Sequence, residues 1–309
     1  MGSIPLLSRA RLRREWHWNR RSPHDSPQLR SRAGDGASHR PRRSGPDHGG
    51  GSLRSLPAGI GRGQRLTKPT GLKMPMLAIE LSQRSGGVAF VNEGIEPKVV
   101  SVMGGRREKD ELLPAVRSVL DSAGVSVADL STIAVDIGPG GFTGLRVSIA
   151  AGQMLAEIAG ATIVGIPGAE VAAASTPAAG TSSRIGTMLV IAATRNGTAW
   201  TTRLGRGDPS EDWLPEGTPA LVADPPAESF DLVLADEHLE PAWRSHFESQ
   251  GTEIVEPVHS ARGLAGLLQR SMDGSPPPTW HVSSDAATLR PIYPREPEAV
   301  RLWQSRASR

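Results

Sequence analysis

Short apolar runs recur along residues 74–309, and their length is that of buried β-strands. Each run is bounded by glycine or polar residues, as expected where a strand ends in a turn. In the first half of this region the runs cover 77–81, 87–91, 98–103, 132–136 and 161–165. A Ser-Gly-Gly turn separates the first two runs, which are therefore predicted to form a hairpin.

A period of 3.6 residues replaces the strand pattern between Lys109 and Ala123 and predicts an amphipathic helix. The helix is expected to start near Asp110, because Pro114 is tolerated only where its missing N–H has no helical partner. Gly124 is placed to end it.

A second helix is predicted over 145–158, after a glycine-rich turn, with Gly160 at its end. The alternation of strand and helix continues through 161–175, so residues 74–180 are predicted to form one α/β lobe. Residues 181–309 are predicted to form a second lobe. It has strands at 187–193, 198–204 and 230–235, helices at 237–249 and 261–272, a Pro-rich connection at 214–226, and a terminal loop at 291–303.

Residues 1–73 differ in composition from the rest of the chain. They hold 16 Lys and Arg against 4 Asp and Glu, whereas the remainder holds 19 against 28. This leader shows no helical or strand period and is predicted to be disordered. The net charge of +3 therefore combines a leader near +12 with a body near −9. Net charge gives no support for RNA binding by the folded part.

Three origins of residues 1–73 stay open: a targeting peptide, a basic tail that contacts nucleic acid, and sequence upstream of the true translation start. We favour the last. Arginine greatly outnumbers lysine, as GC-rich coding produces, and Met74 and Met76 directly precede the first predicted strand.

The chain contains no cysteine, which excludes disulfides and thiolate metal sites. Apolar runs fall short of the ~18 residues of a membrane span, and no signal-peptide core follows the basic start. A cytoplasmic location without membrane attachment is expected. The histidines of the body show no spacing typical of metal ligands, and no metal site is predicted; they are His238, His246, His259 and His281.

The glycine-rich turn at 138–146 has the sequence GPGGFTGLR, which resembles the GPGSFTGLR signature of the TsaB (YeaZ) family with one change at Gly141. Weaker resemblances follow in the order of that family. They are LAIELS at 77–82, LLP at 112–114, the strand at 163–167, Arg195 with Gly197, and PIYPR at 291–295. The resemblance extends over 76–303.

This resemblance implies an actin-like (ASKHA, ribonuclease H-like) α/β fold of two lobes. It also implies a heterodimer with the catalytic transferase TsaD, in a complex that the ATPase TsaE completes and that attaches threonylcarbamoyl to a tRNA adenosine. The implied role is a non-catalytic scaffold that meets tRNA only through the complex. A homodimer of the chain is also compatible with it.

The glycine-rich turn has two interpretations. N–H groups at a helix N-terminus favour anions, so the turn could contact a phosphate of an adenine nucleotide held at the partner interface. The residues concerned are Gly138, Gly140, Gly141, Thr143 and Gly144. We favour the second interpretation, a tight turn for close packing with Thr143 as N-cap, because the turn lacks a Walker-type lysine. No intrinsic cofactor is expected.

Glu80 ends the first strand, where actin-like ATPases place a carboxylate that positions metal and water. The family usually has Asp there, and the extra methylene of Glu displaces the carboxylate beyond catalytic tolerance. Glu80 is therefore predicted to be structural, beside Ser82 and hydrogen-bonded to the glycine turn. Ala193 and Thr194 also stand where relatives often carry an acidic residue, and no catalytic residue is expected.

Small residues recur every four positions on the second helix, at Gly144, Ser148, Gly152 and Ala156, and would let another helix approach closely. The resemblance implies that the two helices of this lobe meet TsaD in a four-helix bundle. The predicted partner interface is Leu112, Val116, Leu120, Leu145, Ser148, Gly152 and Ala156. The alternative is that the monomer itself covers both sides of the helix.

Two other functions stay open: an autonomous actin-like ATPase or small-molecule kinase, and a nucleic-acid-binding protein that acts through its basic leader. A metalloprotease is not expected. The His-x-x-x-His pair on which the catalytic relative depends is replaced by Lys109, Asp110 and Glu111.

Overall fold

A computed structural model describes residues 72–103, 111–181, 186–208, 211–272 and 276–295. Nearly all of the leader, residues 1–71, lies outside these ranges, as do Asp110 and most of the terminal loop. The strands are β1 (Met76–Glu80), β2 (Ser85–Val91), β3 (Lys98–Met103), β4 (Thr132–Asp136), β5 (Thr162–Ile166), β6 (Gly186–Arg195), β7 (Thr198–Arg206), β8 (Leu214–Pro215), β9 (Ala220–Val222), β10 (Leu232–Ala235), β11 (Glu253–Val255) and β12 (His281–Ser283). The helices are α1 (Leu112–Ala123), α2 (Phe142–Ala159), α3 (Gly168–Ser175), α4 (Pro177–Thr181), α5 (Pro241–Ser249) and α6 (Ala261–Arg270).

The first sheet has six strands in the order β12-β5-β4-β1-β2-β3. Strands β1, β4 and β5 are parallel, whereas β2 and β3 continue from β1 as antiparallel hairpins. The predicted hairpin of β1 and β2 is present, but its turn lies at 81–84, because the Ser-Gly-Gly segment at 85–87 belongs to β2. Leu77 and Ile79 of β1 pack under α1 and α2, while Met76 and Ala78 pack under α6 on the opposite face. Because helices cover both faces, β1 is buried along its whole length and is almost continuously apolar.

Helices α1 and α2 end where the sequence predicted. Gly124 follows α1 with φ +68° and Gly160 follows α2 with φ +63°, a left-handed conformation that glycine adopts without strain. Pro114 lies in the first turn of α1, which begins at Leu112.

The second sheet has the order β11-β10-β6-β7-β8, with β9 also paired to β7. Leu189 and Val233 pack with Phe247 of α5 on one face, and Met188 and Leu232 pack on the other. The Pro-rich connection predicted at 214–226 contains the short strands β8 and β9, which extend this sheet.

The chain returns to the first lobe at its end, which differs from the predicted division at residue 180. Strand β12 pairs with β5, and α6 packs on β1 and β2 through Leu264 and Leu268. The prediction that all residues after 180 belong to the second lobe is therefore wrong for α6 and β12. The face of the first sheet opposite α1 and α2 needs an apolar cover, and α6 supplies it.

The longest helix, α2, has 18 residues, so that its length alone would permit a membrane span. Within the part of the chain that the structure describes, no helix is both long and apolar enough to cross a bilayer.

Candidate functional site

The glycine-rich turn between β4 and α2 packs directly on the backbone that follows β1. The N–H of Gly141 donates to the carbonyl of Ser82 over 2.7 Å. A Cβ added at Gly140 would lie 2.4 Å from the Ser82 carbonyl oxygen, and one added at Gly144 would lie 1.9 Å from that of Leu81. These glycines permit two backbone segments to approach more closely than any side chain would allow.

Contrary to the prediction, Thr143 is not the N-cap of α2. Helix α2 begins at Phe142, with Gly141 in the N-cap position and no side-chain cap, and Thr143 is exposed in the first turn. Helix α2 begins one turn before the predicted start at Leu145, because residues 142–144 of the signature are already helical.

Glu80 is fully buried at the end of β1. Its Oε1 accepts hydrogen bonds from the N–H and the hydroxyl of Ser82, each over 2.6 Å. Because the Ser82 carbonyl in turn accepts from Gly141, Glu80 is linked to the glycine turn through one intermediate residue. Burial, and then the charge of Asp136, raise the pKa of Glu80 to about 7.

Asp136 and His259, which no sequence motif indicated, complete a polar cluster with Glu80. His259 Nδ1 lies 3.4 Å from Asp136 Oδ2 and 3.4 Å from Ser82 Oγ. Burial disfavours the charged imidazole, but the hydrogen bond and charge of Asp136, together with the charge of Glu80, raise the pKa of His259. We call Glu80, Asp136 and His259 the buried triad.

Sequence spacing gave no sign of this triad, because 123 residues separate His259 from Asp136. A partial signal was present. Glu80 and Asp136 each end an apolar run, and β1 and β4 are parallel neighbours whose carboxyl ends meet at one edge of the sheet. Histidine spacing alone detects ligands that share one element, and His259 lies on a distant loop.

A cleft of about 490 Å³ opens beside the buried triad. Its lining includes Gly140 and Gly168 from the first lobe, Trp200 from β7 and His259. The lining of the cleft includes three carboxylates, at Asp236, Glu237 and Glu256. It includes one arginine, Arg84. The N–H of Gly141 already has a partner in the Ser82 carbonyl, so it is not directed at a ligand in the cleft.

The seven residues predicted to meet a partner all lie on the inner faces of α1 and α2. Leu112, Val116, Leu120, Leu145, Ser148, Gly152 and Ala156 are buried. A Cβ added at Gly152 would lie 2.6 Å from a methyl carbon of Val135 in β4. The predicted face is therefore wrong. The stripe of small residues allows close approach, and the neighbour that approaches is the sheet of the same chain.

The outer face of α2 carries a different set of apolar residues. Val147, Met154 and Ile158 are exposed by 42%, 44% and 61%, and Ala151 between them is half-buried. Their spacing of i, i+4, i+7 and i+11 places all four on one side of the helix. We call these four residues the outer row.

Two of the sequence motifs meet at the start of α2. Tyr293 of the PIYPR segment accepts a hydrogen bond from Arg146 Nε over 3.2 Å, and its ring lies 5.7 Å from that of Phe142. The Arg146 guanidinium lies 3.8 Å from the centroid of the Phe142 ring. Arg295 donates to the Thr198 carbonyl over 2.7 Å. The segment thus connects α2 with the second sheet.

Comparisons with known sequences give partial matches. A family model described as "TsaD: tRNA N6-adenosine threonylcarbamoyltransferase" matches residues 87–205. The Escherichia coli (strain K12) tRNA threonylcarbamoyladenosine biosynthesis protein TsaB is 32% identical over 93 residues, which are 30% of this chain and 40% of that protein. A Sphingopyxis alaskensis tRNA N6-adenosine threonylcarbamoyltransferase is 36% identical over 73 residues, 24% of this chain and 20% of the transferase. The matches thus span less than half the length of either curated relative.

Solved structures match over more of the chain. YeaZ from Pseudomonas aeruginosa superposes with a TM-score of 0.54 at 18% identity, covering 71% of this chain and 100% of YeaZ. A second Pseudomonas aeruginosa structure, described as similar to peptidase YEAZ, gives 0.54 at 22% identity, covering 72% of this chain and 100% of that one. The fold is therefore that of an actin-like, two-lobed α/β protein. The sequence match to TsaB and the signature at 138–146 agree with this fold, and over these regions the chain is similar to the TsaB (YeaZ) family.

Proposed function

We propose that this chain is a non-catalytic scaffold subunit in the synthesis of threonylcarbamoyladenosine on tRNA, where it supports a TsaD-type transferase. The names of the curated relatives connect the family to this modification. The observation that carries the scaffold role is the outer row of α2, an apolar surface on a helix whose other side is already buried in its own lobe.

The outer row has the geometry of a helix-packing surface. Helices α1 and α2 cover the same face of the first sheet, so their outer sides point away from the lobe together. Leu113 adds an apolar side chain, 44% exposed, on α1. Burying apolar area against a partner stabilises a complex by roughly 25 cal/mol per Å², before the entropy lost on association.

Catalysis belongs to the partner in this proposal. The carboxylates on the cleft walls oppose a chain of phosphates, and a body near −9 favours contact with tRNA through the complex. A TsaE-type ATPase joins the same assembly. Without the transferase, the outer row is available to a second copy of this chain. The proposal also includes an adenine nucleotide bound at the interface with the partner. The scaffold role does not depend on this nucleotide.

Co-expression of the full chain with a TsaD-type transferase, followed by size-exclusion chromatography, tests the proposal. We expect the wild type to co-elute with the transferase and Ile158→Glu to weaken the complex at least tenfold, about 1.4 kcal/mol. The matched control is Leu221→Glu, which places the same charge on an apolar residue 39% exposed in the second lobe. It should co-elute normally.

Two results would overturn the scaffold role. One is normal assembly of the Ile158→Glu variant, with unchanged thermal melting of that variant as the check on folding. The other is ATP turnover by the purified full chain alone, because an autonomous ATPase needs no partner for its chemistry.

A further inference from the structure

The buried triad brings together three side chains that can bind metal, although they come from three separate parts of the chain. Glu80 ends β1, Asp136 ends β4, and His259 lies in the loop before α6. One ligand atom from each lies within 4.8 Å of the other two. Neither the glycine turn nor the outer row accounts for this convergence.

Each carboxylate is held in place through one of its two oxygens. Ser82 donates two hydrogen bonds to Glu80 Oε1, and the Gly138 N–H donates to Asp136 Oδ1 over 2.7 Å. Such donors behind a ligand fix its orientation and leave the second oxygen for the ion. In Asp136 that second oxygen, Oδ2, is the one that faces His259.

The second oxygen of Glu80 has no partner. Oε2 is buried and accepts no hydrogen bond within the part of the chain that the structure describes. A buried carboxylate oxygen left without a donor or a cation is strongly unfavourable, and such groups are rare in folded proteins. The triad therefore lacks one positively charged or hydrogen-donating component.

We propose that Glu80, Asp136 and His259 bind one divalent transition-metal ion of the zinc type. Two carboxylate oxygens and one imidazole nitrogen are a ligand set that Zn²⁺ accepts, whereas Mg²⁺ and Ca²⁺ select oxygen alone. Two negative charges balance those of the ion, so a neutral imidazole completes a site without net charge.

The site would be open on one side. Three protein ligands leave a fourth tetrahedral position for water. Two residues in the lining of the cleft lie at the triad. One is His259 itself. The other is Gly168, where an added Cβ would lie 3.3 Å from Asp136 Oδ1. Bonds of about 2 Å require the ligand atoms to approach within roughly 3.5 Å of one another. Nδ1 of His259 and Oδ2 of Asp136 already lie 3.4 Å apart, so the remaining approach concerns the Glu80 carboxylate.

The test uses the full chain, stripped with a chelator and titrated with ZnCl₂ by calorimetry, with Co²⁺ absorption as a second probe. Residues 1–73 contain four histidines, a residue type that can ligate metal, so the readout is a difference between variants. We expect His259→Ala to bind one ion fewer than the wild type and to lose the visible Co²⁺ absorption. Glu80→Gln should weaken the same site at least tenfold.

His238→Ala is the matched control, because His238 lines the same cleft outside the triad. It should bind as many ions as the wild type, with the same Co²⁺ spectrum. Equal binding by the wild type and by a folded His259→Ala variant would overturn the proposal and show that a proton balances the triad. Selective retention of Mg²⁺ over Zn²⁺ would overturn the choice of ion. Neither result bears on assembly with a transferase.

Discussion

Replacing Gly144 by alanine tests whether the glycine signature serves close packing. Gly144 lies in the first turn of α2, and the added Cβ would lie 1.9 Å from the carbonyl oxygen of Leu81. Ordinary contact begins near 3.4 Å, so helix and strand end must separate by about 1.5 Å, the difference between these distances. The obstacle is backbone, which cannot rotate away as a side chain does.

The expected loss of stability follows from two opposing effects. Overpacking at a tight contact costs roughly 1–3 kcal/mol. The better helix propensity of alanine returns at most about 1 kcal/mol, and less in a first turn. We therefore expect Gly144→Ala to lower the free energy of unfolding by about 2 kcal/mol. In a domain of this size that lowers Tm by roughly 4–8 °C.

Urea unfolding followed by circular dichroism measures this loss, with Gly180→Ala as the matched control. Gly180 is also helical, in α4, but a Cβ added there meets no atom within 4 Å. That variant should change stability by no more than about 0.5 kcal/mol. Equal stability of the two variants would refute the packing argument and return the glycines to an anion-binding role.

Two further predictions concern buried carboxylates. Because the folded protein raises the pKa of Glu80 to about 7, the contribution of Glu80 to stability should be most favourable below the unfolded value of 4.5 and should be lost as pH rises towards 8. The expected change in the free energy of unfolding is on the order of 3 kcal/mol, with chelator present to remove metal ions. The measurement is Tm as a function of pH, and an equally steep profile for Glu80→Gln would contradict the prediction. Trp280→Phe removes the 2.6 Å hydrogen bond from Trp280 Nε1 to buried Glu170. It should cost about 1–3 kcal/mol in urea unfolding, and a loss below 0.5 kcal/mol would show that Glu170 finds another partner.

Local patterns predicted the elements of the first lobe well, because each depends on neighbours in sequence. Strands β3 and β4 have the predicted bounds. A short apolar run bounded by turn residues is stable mainly as a strand of a buried sheet, so its limits can be predicted from the sequence. Gly124 and Gly160 end their helices as predicted, because a left-handed residue after a helix is a local requirement.

The side of a helix that meets a partner was not predictable in the same way. Val147 and Leu145 are both apolar and two positions apart, yet Leu145 is buried and Val147 is exposed. Small residues at Ser148 and Gly152 signalled close approach without indicating the neighbour. The second lobe was predicted less accurately, because α6 packs on the first sheet and β12 is one of the strands of that sheet.

The amino-acid sequence by itself determined the strand and helix succession of the first lobe, the tight glycine turn and the family resemblance, since these reside in contiguous residues. Tertiary structure alone decided which side of α2 stays exposed and brought His259 to Glu80 and Asp136. The physical reason is distance along the chain. Contacts between residues more than a hundred positions apart depend on how whole sheets and helices pack, which no local period encodes.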